Sequence, residues 1–244
     1  MIRTLKERER ETFAKEVTPA LVMSDFSMAI INACLREFNN ELLEDYFDGG
    51  FRIVNGQATK EEVQKTIHHV CSAHMMQIIK RHAKNLCEKG HLAESQIHIA
   101  MQFFGRFLSA TSLDEMKGIV SLGYAIFKTK YVCDGLTEKL DQFSESIHTF
   151  NSNYNTDQEN ESEHESSSEE DMELAEDPTS NVVIGLFSSV ELFWEGELEN
   201  IKKTNSFKEV NAGDRNKYYM PAFFDYIAKN YLPSCILRSN LLLG

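Results

Sequence analysis

Asp25 is the first residue whose type and position could support chemistry. It ends a short apolar run that begins at Ala20, and a helical pattern begins directly after it at Phe26. Functional groups of α/β sheets gather at the carboxyl ends of strands, where a carboxylate can bind a hard cation such as Mg²⁺. Two-metal phosphoryl transfer, however, needs several carboxylates. The competing interpretation is a helix N-cap, worth about 1 kcal/mol, and the residues alone favour the cap.

Cys71 and His74 form a Cys-x-x-His pair where a second helical pattern begins. Thiolate and neutral imidazole are both zinc ligands, but a structural zinc site takes four ligands. Other donors lie nearby in the sequence, namely His68, His69, His82 and Cys87. Three interpretations stay open: a zinc site, a Cys–His nucleophilic pair, and a cysteine and histidine that pack or cap at a helix start. The residues alone favour the last of these.

The elements that must position these residues are two short strands, each followed by a helix. Residues 19–25 predict a buried strand entered through Pro19, and residues 66–71 predict a second one. Apolar residues at helical spacing predict helices over residues 26–39 and 72–87. Asp25 and the Cys-x-x-His pair would then each lie at a strand-to-helix junction.

The segment between the two strands contains turn signals. Asp48-Gly49-Gly50 predicts a turn, and Phe51 to Val54 predicts a short extended piece. Thr59, followed three residues later by Glu62, predicts the start of a helix.

The second half of the chain shows only helical patterns. Three helices are expected between His91 and Phe150, and two more over residues 182–201 and 220–231. The apolar run Leu241 to Leu243 indicates an element whose partner lies outside this chain.

Charge is distributed unevenly along the 244 residues. The net charge is −13, and the run from Asp157 to Asp177 contains eleven acidic residues and no Lys or Arg. Such a composition buries too little apolar surface to fold, so residues 151–180 are predicted to be disordered. The rest is nearly neutral and does not show the basic face typical of a nucleic-acid binder.

Composition also bears on location. The five cysteines are scattered and odd in number, which indicates reduced thiols rather than a secreted disulfide framework. The charged N-terminus does not resemble a signal peptide. No apolar run approaches the roughly 20 residues of a membrane span. We therefore expect an intracellular protein with no membrane partner.

The order of these motifs resembles that of eukaryotic DDE cut-and-paste transposases with an RNase H-like core, most closely the Mutator-like (MULE) group. The resemblance is carried by Met23 to Ser27 and by Val70 to Met75, with an all-helical stretch after them. Residues 104–113 and 218–244 look like insertion-domain sequence of transposon-derived animal proteins. The motifs are weak individually, and their order and spacing carry the likeness.

The resemblance implies roles for the candidate residues. Asp25 matches the second acid of the DDE triad and would be a catalytic Mg²⁺ ligand, while Cys71 and His74 match the family's Cys-x-x-His pair. Zn²⁺ at that pair is a separate hypothesis, raised by the donor types. The family's substrate is transposon-end DNA in the nucleus, and its chemistry is metal-dependent strand cleavage and transfer. The first aspartate and the last glutamate have no match here, so we expect a fragment truncated at both ends and inactive alone.

The expected fold class is an α/β remnant, a partial RNase H-like core, with a predominantly α-helical insertion domain, mostly α overall. The alternative function is a domesticated protein-interaction module with an acidic regulatory loop. The expected parts are a charged helical lead-in (1–17), the partial core (18–90), the helical insertion domain (91–150), an acidic disordered linker (151–180) and a helical continuation of the insertion domain (181–244).

Overall fold

Two short parallel strands and a larger set of helices make up the fold. The structure, a computed structural model, describes residues 18–154, 188–206 and 214–243. In chain order these ranges contain β1 (Leu21–Ser24), α1 (Met28–Cys34), a π-helical turn (Leu35–Asn39), α2 (Leu43–Val54), α3 (Lys60–Val63), β2 (Ile67–Val70), α4 (Ser72–Leu86), α5 (Ala93–Ser109), α6 (Leu113–Lys128), α7 (Asp134–Tyr154), α8 (Ser188–Thr204), α9 (Pro221–Asn230), α10 (Cys235–Arg238) and a 3₁₀ turn (Asn240–Leu242). The protein is thus mostly helical, as predicted.

The two predicted strands are present and pair in parallel, with Leu21 opposite Ile67 and Ser24 opposite Val70. Parallel neighbours need a long crossover connection, and here α1 to α3 provide it. The prediction that the first strand is buried is wrong, because Leu21 is 42% exposed and Met23 58% exposed. Within the described ranges β1 pairs only with β2, so it lies at a sheet edge. An RNase H-like core remains a prediction.

The predicted turn and extended piece over residues 48–54 are wrong, because this segment belongs to helix α2. Gly49 and Gly50 each disfavour a helix by about 1 kcal/mol. The helix forms nonetheless, since Leu43, Tyr46 and Phe47 place a buried apolar stripe on the core. Packing therefore overrides the local glycine signal.

The predicted helix start at Thr59 is confirmed, and both hydrogen bonds of its capping box are present. The Glu62 N–H donates to Thr59 Oγ1 over 3.2 Å, and the Thr59 N–H donates to Glu62 Oε2 over 2.9 Å. These bonds satisfy two backbone donors at the start of α3. The short helix returns the chain to the beginning of β2.

The three helices expected between His91 and Phe150 are confirmed as α5, α6 and α7. Phenylalanine rings join α5 and α6 to α9. Phe127 packs edge-on against Phe103, with centroids 5.4 Å apart, and against Phe223 at 5.2 Å. A single cluster of buried hydrophobic residues extends from Ile31 to Leu241 in the sequence. It includes Val70 of β2 and residues of helices that precede and follow β2 in the chain.

The C-terminal leucines pack within this chain. The expectation that the run Leu241 to Leu243 has its partner outside the chain is therefore wrong for the run as a whole. Leu241 is 4% exposed, and only Leu243, at 43%, faces solvent. Helix α10 and the 3₁₀ turn pack on α2, where a Cβ on Gly50 would lie 2.5 Å from Ile236 Cγ2 and 3.5 Å from Leu242 Cδ1. The missing side chain of Gly50 makes the room for this segment.

Three predictions reach beyond the described residues. The lead-in over residues 1–17 lies outside them, and so do residues 155–187, which include most of the expected acidic linker. Residues 151–154 belong to α7, and the helix expected from residue 182 is described from Ser188 as α8. Among the helices that the structure describes, none is both long and apolar enough to cross a bilayer.

Candidate metal site

Asp25, Cys71 and His74 come together at one edge of the sheet. Asp25 follows β1 and Cys71 follows β2, and because the strands run in parallel, both residues lie at the same, carboxyl edge. The Cys71 N–H donates to the Ser24 carbonyl oxygen over 2.8 Å, which fixes the two junctions side by side. One potential ligand atom from each of the three side chains lies within 4.8 Å of the other two.

Asp25 is not the cap of the following helix, so the interpretation that the sequence favoured is wrong. The N-cap of α1 is Ser27, which makes no side-chain capping bond. The backbone carbonyl of Asp25 instead accepts a hydrogen bond from the Ser27 N–H over 2.7 Å. Asp25 Oδ1 lies 2.9 Å from His74 Nδ1. The aspartate therefore links the end of β1 to the first turn of α4.

A buried cation–π stack supports the backbone beside Asp25. The Arg238 guanidinium carbon lies 4.3 Å from the ring centroid of Phe26 and 4.4 Å from that of Tyr231. Arg238 is fully buried, and its helix, α10, also contacts β2. The C-terminal segment thus holds the residue after Asp25 and the strand before Cys71.

Cys71 and His74 perturb each other. Cys71 immediately precedes α4, and hydrogen bonds from the backbone N–H and side chain of His74 lower the pKa of the thiol. The hydrogen bond to Cys71, together with the negative charge of Asp25, raises the pKa of His74. Both shifts favour a thiolate beside an imidazolium, which is the ionisation state of a reactive cysteine.

The structure adds a residue that sequence reasoning did not find for this pair. A nucleophilic Cys–His pair requires a third group to orient the imidazole, and the spacing of residues showed none. Asp25 occupies that position in the structure. The sequence signal was the shared carboxyl edge of two strands, which predicts proximity but not a contact with His74.

The other donors near Cys71 in the sequence do not belong to the cluster. His68 is buried and its Nε2 lies 2.9 Å from Ser24 Oγ, and burial lowers its pKa to about 4. His69 is buried as well, and burial lowers its pKa. His82 stacks on Tyr226 with ring centroids 4.1 Å apart. Cys87, at the far end of α4, donates to the Lys84 carbonyl oxygen.

The donor set does not fit the Mg²⁺ ion that the resemblance implies. Mg²⁺ requires near-octahedral coordination by oxygen atoms. The described part of the chain places only one carboxylate in this cluster, and the other two donors are a sulfur and an imidazole nitrogen. Softer donors of this kind select transition metals instead. No Mg²⁺-dependent step can be assigned to these residues.

Comparison of the chain with protein-family models, with curated proteins and with solved structures gave no match.

Proposed function

We propose that this protein derives from a DDE cut-and-paste transposase of the Mutator-like type and that this chain alone does not cleave DNA. The ancestral role is Mg²⁺-dependent cleavage and transfer of transposon-end DNA in the nucleus. The observation that carries the proposal is the placement of Asp25 and the Cys-x-x-His turn side by side at the carboxyl ends of two parallel strands.

The order of elements supports the proposal. A strand that ends in an aspartate, a crossover, a second strand that ends in Cys-x-x-His and a block of helices follow one another in the order that the resemblance requires. The open edge of β1 is also consistent with it. The family's first aspartate lies on an earlier strand of the core, and within the described ranges β1 pairs on one side only, with β2.

The inactivity follows from the ligand set. Two-metal phosphoryl transfer holds its ions about 3.5–4 Å apart between several carboxylates. Asp25 is the one carboxylate that the described residues bring to this cluster, and the other two donors are not oxygen ligands. An isolated carboxylate that is 66% exposed is screened by water and holds Mg²⁺ weakly.

A nicking assay tests the inactivity. The purified chain is incubated with supercoiled plasmid in Mg²⁺ or Mn²⁺, beside the variants Asp25→Asn and Asp114→Asn. Asp114 is a suitable control because it is an exposed aspartate in another helix, paired with Lys117. We expect no nicking above background from any of the three proteins. Metal-dependent nicking that Asp114→Asn retains and Asp25→Asn loses would refute the inactivity.

Genomic sequence on either side of the reading frame tests the ancestry. The proposal expects an upstream segment that encodes a strand ending in aspartate and a downstream segment that encodes a helix bearing glutamate. Intact flanking sequence with neither feature, in several related loci, would contradict the transposase origin.

A further inference from the structure

We infer that Asp25, Cys71 and His74 bind one Zn²⁺ ion through a carboxylate oxygen, a thiolate sulfur and an imidazole nitrogen. The inference does not rest on the transposase proposal, because it uses only the donor types and their positions. It replaces the Mg²⁺ ion that the resemblance implies with a metal that this donor set suits.

The distances between donors suit a tetrahedral ion. Zinc bonds of about 2.0–2.3 Å at tetrahedral angles separate neighbouring ligand atoms by about 3.3–3.8 Å. The ligand atoms of the cluster lie within 4.8 Å of one another, and the carboxylate and imidazole atoms are 2.9 Å apart. Side-chain rotations that move the ligand atoms by about 1 Å bring them to zinc spacing, and such rotations cost little at the surface.

The backbone beneath the donors is already fixed. Asp25 and Cys71 follow two strands that are held in register, and the Cys71 N–H bonds to the Ser24 carbonyl oxygen. His74 lies three residues after Cys71 at the start of a helix, so its side chain returns toward the helix N-terminus. Two of the three ligands come from segments 46 positions apart in the chain, so the ion would bridge β1 to α4.

Charge and access also favour the ion. The thiolate and the carboxylate together neutralise the charge of Zn²⁺. The ion pair between Asp25 and His74 is exposed, so rearranging it to bind the ion breaks no buried ion pair. The side chains of Asp25 and His74 are 66% and 55% exposed, so the fourth coordination position faces solvent. A zinc site with three protein ligands and one water is the form found in catalytic rather than structural sites. The position can therefore accept an exogenous ligand.

Metal titration tests the inference. The full-length chain, freed of metal with a chelator, is titrated with Zn²⁺ against a chromophoric zinc indicator. We expect one ion per chain. Cys71→Ser and His74→Ala are each expected to weaken binding by about 100-fold or more, since losing a group that only hydrogen-bonds to a ligand already costs about 10–100-fold. The controls Cys87→Ser and Cys133→Ser remove free cysteines outside the cluster and should leave the affinity unchanged.

Cobalt provides a readout that a loss of stability would not imitate. Co²⁺ bound to the wild-type chain should show a thiolate-to-metal charge-transfer band. Cys71→Ser should lose that band while its circular dichroism and Trp194 fluorescence stay native, because Cys71 lies at the surface edge of the fold and Trp194 lies in the core. Excess Mg²⁺ should not displace the metal.

Two results would overturn the zinc site. One is the absence of stoichiometric Zn²⁺ binding by the folded chain. The other is binding that persists in both Cys71→Ser and His74→Ala. Neither result bears on the nicking assay or on the flanking sequence, so the transposase proposal and the zinc site can fail separately.

Discussion

Replacing Gly123 by alanine tests how closely α5 and α6 approach. Gly123 is buried in α6, and a Cβ built on it would lie 2.2 Å from Cε2 and 2.7 Å from Cζ of Phe103 in α5. Carbon atoms in contact prefer about 3.5–4.0 Å, so the ring or the helix would have to retreat by more than about 1 Å. Phe103 is 1% exposed and packs against Phe127, so the ring has little room to move.

The magnitude follows from two opposed terms. Overpacking a filled core costs about 1–3 kcal/mol, while alanine improves on glycine in a helix by about 1 kcal/mol. Gly118 in the same helix is the matched control, because a Cβ there meets no atom within 4 Å. Gly118→Ala keeps the helical gain without the clash. The two variants should therefore differ by about 1–3 kcal/mol, with Gly123→Ala the less stable.

Urea unfolding followed by the fluorescence of Trp194 and by circular dichroism measures this difference. Trp194 is 2% exposed and is the single tryptophan, so its emission reports on the core. Equal slopes for the two variants are required before the midpoints are converted into free energies. Phe103→Leu combined with Gly123→Ala should restore part of the loss, since the two positions are in contact. A Gly123→Ala protein at least as stable as Gly118→Ala would refute the close helix crossing.

Three further changes test the parts of the fold that hold the site. Gly50→Ala should cost about 1–3 kcal/mol and expose the C-terminal segment to protease, because its Cβ would lie 2.5 Å from Ile236; wild-type protease resistance would contradict that packing. Tyr46→Phe should cost about 1–3 kcal/mol in urea unfolding, since the hydroxyl donates to the His68 carbonyl and accepts from the His68 N–H, each over 2.9 Å; an unchanged midpoint would refute this. Burial lowers the pKa of His68 from 6.5 to about 4, so between these pH values the unfolded chain binds more protons than the folded chain. The free energy of unfolding should therefore fall as the pH drops from 6.5 to 4, by at most about 3 kcal/mol. His68→Gln should flatten this pH dependence, and a slope equal to that of the wild type would exclude His68 as its source.

Local signals predicted most of the elements. The capping box at Thr59 and the helical spacing after His91 depend on neighbours within a few residues, and the structure agrees with both. The failures come from contacts between distant segments. Asp48-Gly49-Gly50 predicts a turn from its local sequence, but in the structure Gly50 lies in α2 and leaves room for Ile236 and Leu242 of the C-terminal segment. The contact between α2 and the final leucines joins residues far apart in the sequence. No pattern within one segment contains this information.

The site shows the same division. The sequence placed Asp25 and Cys71 at strand ends, and parallel pairing of those strands brings them together. The sequence favours an N-cap role for Asp25, because an aspartate before a helix is usually a cap, and the structure contradicts this role. Whether it caps α1 or turns to His74 depends on where α1 begins, and the structure begins it at Met28, with Ser27 as the N-cap. A shift of two residues in one helix start therefore decides the chemistry of the edge.

Position and donor type carry different information about this edge. The carboxyl ends of parallel strands collect functional groups whatever the chemistry, so the location of Asp25 marks a functional edge without indicating its metal. The sulfur of Cys71 and the nitrogen of His74 bear on which metal this edge would hold, because ligand softness, and not location, selects zinc over magnesium. A folded chain that binds Zn²⁺ through these residues and does not nick DNA would fit both proposals at once. If the chain binds Zn²⁺ but intact flanking sequence encodes neither the upstream strand ending in aspartate nor the downstream helix bearing glutamate, the metal site is supported and the transposase origin is refuted.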